Sequence, residues 1–182
     1  MNSQKFIAGA LFPSIRLKTL NHGEIELGKP LNGKDWQMVV VYRGKHCPLC
    51  SRYLDQLEKL KDEFYGLGIS IVAVSADPEI KASAHNQEMG LGFPVAYGLS
   101  IEQMKTLGLY ISNSRSAQET DRPFAEPGLF IINEQGQVQV TDISNAPFAR
   151  PELESLIGGL GFIRDPANNY PIRGTYQFQQ EK

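Results

Sequence analysis

The chain of 182 residues is the length of one domain with a sizeable core, and its 41% hydrophobic and 21% charged residues are ordinary for a soluble globular protein. A net charge of −2 gives no electrostatic footprint for nucleic acid or an anionic membrane, and no apolar run approaches the length of a membrane span.

Near the start, Lys5 precedes a short apolar stretch, Phe6 to Phe12, that faintly imitates a signal peptide. It is too short and Pro13 ends it, so it reads as an ordered N-terminal segment of a cytoplasmic protein. Residues 15–20 and 24–27 alternate apolar and polar side chains around Asn21-His22-Gly23, which predicts a β-hairpin. After a loop over 28–35, Trp36 serves as a packing anchor. Met38 to Tyr42 then forms an apolar, β-branched run of the kind that makes a strand buried on both faces.

A basic loop, Arg43-Gly44-Lys45-His46, leads into Cys47-Pro48-Leu49-Cys50. Apolar residues at Tyr53, Leu54, Leu57, Leu60 and Phe64 follow at helical spacing. Pro48 suits the first turn of that helix, where its missing N–H costs nothing.

Gly66-Leu67-Gly68 stops the helix, and Ile69 to Ser75 is a second buried strand. Asp77-Pro78-Glu79 reads as an N-cap, a first-turn proline and a first-turn acid, opening a helix to about Met89. Asp77 is thereby explained as a cap and His85 as an exposed residue on a polar helix. Phe93 to Tyr97 is a short extended segment. Ser100 and Gln103 mark a capping box at the start of a helix reaching Leu107. Residues 111–126 are polar and aperiodic, a long loop of the functional kind. Gly128 to Ile132 is a third buried strand, Asn133 to Gly136 a turn, and 137–143 its antiparallel partner. Residues 151–160 form a final short helix. An aromatic tail over 161–182 carries Tyr170, Tyr176 and Phe178 and reads as an extension packed on the domain or at an interface. No repeat or linker divides the chain.

Both cysteines sit in one motif, so no disulfide framework of secreted type exists. The motif places Cys47 at a helix N-terminus, whose unpaired N–H groups and positive dipole end stabilise a thiolate. Arg43, Lys45 and His46 stand beside it in sequence. Cys47 is therefore the expected nucleophile. Cys50, on the side of Tyr53, Leu54 and Leu57, is the expected buried partner that closes a disulfide. The alternatives are half a zinc site and two inert cysteines. Zinc lacks ligands here, because there is no second Cys-x-x-Cys and His22, His46 and His85 are scattered. Haem attachment needs a histidine where Ser51 stands. A redox pair is the reading kept, with no metal.

Strands alternating with helices predict an α/β fold with a largely parallel sheet covered on both faces and antiparallel strands added at the end. With Cys-x-x-Cys after the first core strand, the layout is thioredoxin-like, a single domain over 1–182 with an N-terminal hairpin extension. The chain resembles the peroxiredoxin-like branch of the thioredoxin superfamily, the alkyl-hydroperoxide-reductase and thiol-specific-antioxidant group, over about residues 8–160. The carrying stretches are Asn21-His22-Gly23, Gly33 to Trp36, Tyr42 to Cys50, Val72 to Asp77, Leu91 to Pro94, Pro127 to Ile132 and Ala146 to Arg150.

Against that family's pattern, Gly44 replaces the threonine and Val40 the proline that precede the reactive cysteine. Pro127 occupies the place of an activating arginine, while a second arginine survives as Arg150. Arg43 is the candidate to supply the missing charge. Pro127 also resembles the proline of dithiol thioredoxins, which implies a cis bond turning the backbone toward Cys47 to pair with a substrate segment. The thioredoxin acid six residues before Cys47 is absent, since Val41 stands there.

The resemblance implies a thiol-dependent redox enzyme that takes a peroxide, with Cys50 resolving and an external reductant of thioredoxin or glutathione type. It implies no bound cofactor and a capacity to form a homodimer. A thiol–disulfide oxidoreductase and a non-catalytic redox sensor or interaction module use the same two sulfurs and stay open at this point. Candidate site residues are Cys47, Cys50, Arg43, His46, Pro127 and Arg150.

Overall fold

The structure, a computed structural model, describes residues 8–176. The readings of Lys5, Phe6 and Phe178 lie outside the described residues.

Strands β1 (Ile15–Lys18) and β2 (Glu24–Leu27) pair antiparallel, Ile15 opposite Leu27, as the alternation predicts. Gly23, at φ +66°, supplies the left-handed residue of their turn. The core strands β3 (Trp36–Val41) and β4 (Ile69–Val74) are buried along their whole length, which is why both read as continuous apolar runs. Helix α1 (Pro48–Gly66) connects them and β4 lies parallel to β3. Helix α2 (Glu79–Met89) leads to the two-residue β5 (Val95–Ala96), again parallel. Helix α3 (Ile101–Thr106) opens on the Ser100–Gln103 capping box.

Two short strands, β6 (Ile111–Ser112) and β7 (Phe124–Ala125), pair antiparallel and close the loop that sequence left aperiodic. They are too short to leave a periodic signal. Strand β8 (Gly128–Ile132) runs antiparallel to β3, and β9 (Val138–Ile143) antiparallel to β8. The central sheet thus has the order β5-β4-β3-β8-β9, a mixed α/β sheet with its antiparallel strands on one side, as expected. Helix α4 (Leu153–Arg164) is longer than the predicted 151–160. Its last turn is held because Arg164 pairs with Asp35 at 2.9 Å and lies over the Trp36 ring.

Alternate side chains of β3 divide the core. Met38 and Val40 face α1 and α4 through Leu54, Leu57, Phe64, Leu153 and Leu160. Val39 and Val41 face the N-terminal hairpin and α3 through Leu17, Leu27, Met104 and Leu107. The sheet is covered on both faces, and the strand ends that feed α1 and α2 open on the same side.

Candidate functional site

Beyond β3, the amide of Tyr42 still donates to Val74 O, so the sheet carries the chain to the edge of the motif. Gly44 then adopts φ +131°, and a Cβ there would stand 2.7 Å from the Asp77 carboxylate. Only glycine fits that approach. Asp77 Oδ2 accepts the Lys45 N–H at 2.7 Å, and the Cys47 N–H donates to Gly44 O at 3.1 Å. This corrects the reading of Asp77 as a helix cap. Pro78 is the N-cap of α2, with no side-chain bond, and the buried Asp77 side chain holds the loop before Cys47.

Cys47 is the N-cap residue of α1, and its sulfur accepts the Cys50 N–H at 3.2 Å. Pro48 takes the first helical position. The two sulfurs are joined in a disulfide, their Cα atoms 5.3 Å apart. Cys47 is 2% exposed and Cys50 0%, so burial hardly separates them. Both belong to the apolar cluster of Leu54 and Leu57, and what separates them is their polar contacts: the Cys47 sulfur caps the helix, and the Cys50 sulfur faces a guanidinium.

The other sequence-named residues divide. Arg150 Nη2 donates to the Cys50 sulfur at 3.1 Å. Its other amino group donates to Pro147 O, and its plane lies 5.2 Å from the centre of the Tyr53 ring. Burial pulls its basicity below that of a free guanidinium. Arg43 does not reach toward a sulfur for its partners. It pairs with Glu119 at 3.4 Å and Glu126 at 3.5 Å and covers the ring of Phe124 at 4.6 Å.

His46 packs edge-on against the same Phe124 ring at 4.7 Å, and neither of its buried ring nitrogens has a hydrogen-bond partner. Burial, then the charge of Arg43, pushes its pKa below 6.5, so at neutral pH it adds no positive charge beside Cys47.

Pro127 departs from the expectation of a cis bond. Among the described residues every peptide bond is trans. The reason lies in the ladders on either side. Glu126 N–H donates to Tyr110 O, continuing β6–β7, and Pro127 O accepts from Ser144 N–H, continuing β8–β9. An extended trans link joins the two, and those two backbone groups are already paired. The ring of Pro127 instead lines a small recess with Tyr53, Asp142 and Arg150, where burial raises the Asp142 pKa.

Sequence reading missed His85. It is 3% exposed, and its Nε2 lies 2.8 Å from Ser51 Oγ on α1. Its helix buries only Ala82 and His85, too narrow a stripe to register as amphipathic. Glu119 and Glu126 were also missed as partners of Arg43, because they lie far along the chain inside the aperiodic segment. Among the described residues no group of three or more His, Cys, Asp or Glu side chains is gathered to hold a metal. None of their helices is long and apolar enough to cross a membrane.

Chemically, the arrangement is a dithiol–disulfide pair with a helix N-terminus at one sulfur and a guanidinium at the other.

Known proteins share this layout. Residues 7–157 match the family model described as Redoxin. The chain is 29% identical over 132 residues to the thiol-disulfide oxidoreductase ResA of Halalkalibacterium halodurans, covering 72% of this chain and 65% of that protein. The peroxidoxin BcpB from Mycobacterium tuberculosis superposes with a TM-score of 0.71 at 17% identity, over 88% of this chain and 99% of that one. The Mycobacterium tuberculosis AhpC does so at 0.70 and 18%, over 88% and 94%. At such identities these two structures speak to the fold.

Proposed function

The chain belongs to the redoxin family, as a peroxiredoxin-like member of the thioredoxin superfamily, and from that membership we propose that it is a thiol-dependent oxidoreductase that reduces a hydroperoxide through Cys47 and Cys50. The observation that carries this reading is the sulfur of Cys47 capping α1 within bonding reach of Cys50.

In the cycle, the Cys47 thiolate attacks the terminal peroxide oxygen. The O–O bond breaks, an alcohol or water leaves with a proton, and Cys47 becomes a sulfenic acid. Cys50 attacks that sulfur, water leaves, and the disulfide closes. An external thiol then attacks Cys47, Cys50 departs as a thiolate beside Arg150, and a second thiol releases the reductant as its own disulfide. A thioredoxin- or glutathione-type reductant fits this last step.

The trans Pro127 supports a small substrate. In thioredoxin-like docking a polypeptide pairs with the backbone before this proline, whereas here the Glu126 N–H is already bonded to Tyr110. Against rapid peroxide turnover, Arg43 is engaged by two carboxylates and His46 is uncharged, so fewer donors face the developing negative charge.

A second reading is a thiol–disulfide oxidoreductase, which the name of the 29%-identical relative favours. Steady-state turnover with a thiol reductant distinguishes the two. Hydrogen peroxide and an alkyl hydroperoxide are each compared with a protein disulfide. The first reading predicts catalytic consumption of a hydroperoxide, and turnover with the protein disulfide alone supports the second.

A further inference from the structure

Tyr53 stands three positions beyond Cys50 on α1, so the two side chains share one face of the helix, one turn apart. Packing accounts for part of its place, since its ring borders the apolar cluster of Leu54 and Leu57. Its contacts go further. The guanidinium of Arg150 lies over the ring, 5.2 Å from its centre, and Nη2 of the same guanidinium donates to the Cys50 sulfur at 3.1 Å. The Tyr53 hydroxyl donates to Pro151 O at 3.0 Å, which ties the chain beside Arg150 to α1. One helical turn thus carries the second sulfur and the seat of the cation that faces it.

The two arginines of the site are held by different means. Arg43 is gripped by Glu119 and Glu126, whose negative charges offset its own. The hydrogen-bond and ring partners of Arg150 are the Pro147 carbonyl, the Tyr53 ring and the Cys50 sulfur, none of them a carboxylate. Burial opposes the charge of Arg150 most, and Arg43 opposes it too, while Glu126 and Asp142 favour it. Burial also pushes the Tyr53 phenol well above its ordinary pKa, so that group stays neutral and offers the cation the face of its ring. A ring and a carbonyl orient a guanidinium without cancelling its charge, which leaves that charge for the sulfur.

We propose that Tyr53 is a positioning residue for reduction of the disulfide: its ring holds the Arg150 guanidinium against Cys50 and so sets how readily that sulfur departs. The thiolate of a reductant attacks Cys47 and a new S–S bond forms there. The Cys47–Cys50 bond breaks, and Cys50 leaves with the electron pair. With dithiothreitol, the second thiol of the reductant then displaces Cys47. The reductant ends as a cyclic disulfide, and the protein has gained two electrons and two protons. In the first step negative charge grows on Cys50, where the guanidinium already points. A guanidinium released from the ring spreads over several rotamers and meets that charge only part of the time.

The inference rests on the proposed cycle in taking Cys50 as the sulfur that leaves. Its test is the rate at which dithiothreitol reduces the disulfide in a double-mutant cycle of Tyr53→Leu and Arg150→Gln. Tyr53→Leu should slow reduction about fivefold in the otherwise unaltered chain and leave the rate unchanged in a chain already carrying Arg150→Gln. Tyr53→Met, closer in volume, repeats the cycle with the same expectation. Tyr53→Phe keeps the ring and should stay within about twofold of the wild type. Equal slowing by Tyr53→Leu in both backgrounds, or no slowing in either, overturns the proposal. Reduction of Tyr53→Phe as slow as that of Tyr53→Leu does so too. A tyrosine that merely packs would lower the melting temperature and show no dependence on Arg150. Failure of the underlying cycle reads differently: the thiol freed when glutathione attacks is alkylated with iodoacetamide and mapped by peptide mass. The label is expected on Cys50, and a label on Cys47 would show that the other sulfur leaves.

Discussion

The guanidinium of Arg150 meets the sulfur of Cys50 at 3.1 Å across a sequence separation of 100 residues. The arginine that the sequence resemblance singled out is therefore placed at the second sulfur of the pair. In the proposed cycle a cation there stabilises the thiolate that departs when a reductant attacks Cys47.

Removing that cation gives the first prediction. Arg150→Gln should slow reduction of the disulfide by dithiothreitol about tenfold or more, because the leaving sulfur loses its charge partner. Arg150→Lys should recover part of the rate. Stopped-time thiol titration measures both, and an Arg150→Gln protein reduced at the wild-type rate would show that the contact has no part in the step.

The second prediction concerns pH. His46 and His85 both have pKa values pushed below 6.5 by burial, so the folded chain resists protons that the unfolded chain accepts. Above pH 6.5 both are neutral in either state and contribute nothing. As the pH falls through 6.5 the unfolded state gains protons first and stability drops. Glu88, Glu119 and Glu152, held below 4.5 by hydrogen bonds, lose their contributions only at lower pH. The melting temperature should therefore fall between pH 7 and pH 5, and His85→Gln should flatten part of that fall. A melting temperature constant across this window would contradict it.

The third prediction concerns access to the site. The segment between β6 and β7 is strapped to the loop before Cys47 by Glu119 with Arg43, and to α2 by Asp121 with Lys81 at 2.6 Å. Glu119 also pairs with Arg115. Glu119→Ala should loosen the strap and speed alkylation of Cys47 by a bulky maleimide severalfold, with little change for small iodoacetamide. High salt should act in the same direction through the exposed Lys81–Asp121 pair. Equal rates for both reagents in both proteins would mean that the strap does not gate the sulfur.

What could be read beforehand was what depends on neighbours in sequence. The uniform burial of β3 shows as an unbroken apolar run, Pro48 and the helical spacing beyond it fix α1, and Ser100 with Gln103 spells its own capping box. Illegible features depend on contacts between distant positions. Asp77 before Pro78 and Glu79 imitates a helix cap, yet its carboxylate is claimed by the Lys45 amide 32 residues earlier. His85 sits in a polar helix and is buried only because Ser51 and Tyr42 come to meet it. Arg43 looked available because its carboxylates lie in an aperiodic segment. Pro127 was matched by type to a cis proline, whereas the trans bond follows from ladders on both sides that no local pattern reveals.

The account as a whole turns on which sulfur meets the oxidant. Reduced wild type, Cys47→Ser and Cys50→Ser proteins are each mixed with one equivalent of hydrogen peroxide, and the modified cysteine is mapped by peptide mass. The expected outcome is a disulfide in the wild type, a sulfenic acid on Cys47 in Cys50→Ser formed at a rate close to wild type, and an unreacted Cys50 in Cys47→Ser. Oxidation of Cys50 in the Cys47→Ser protein as fast as in the wild type would contradict it.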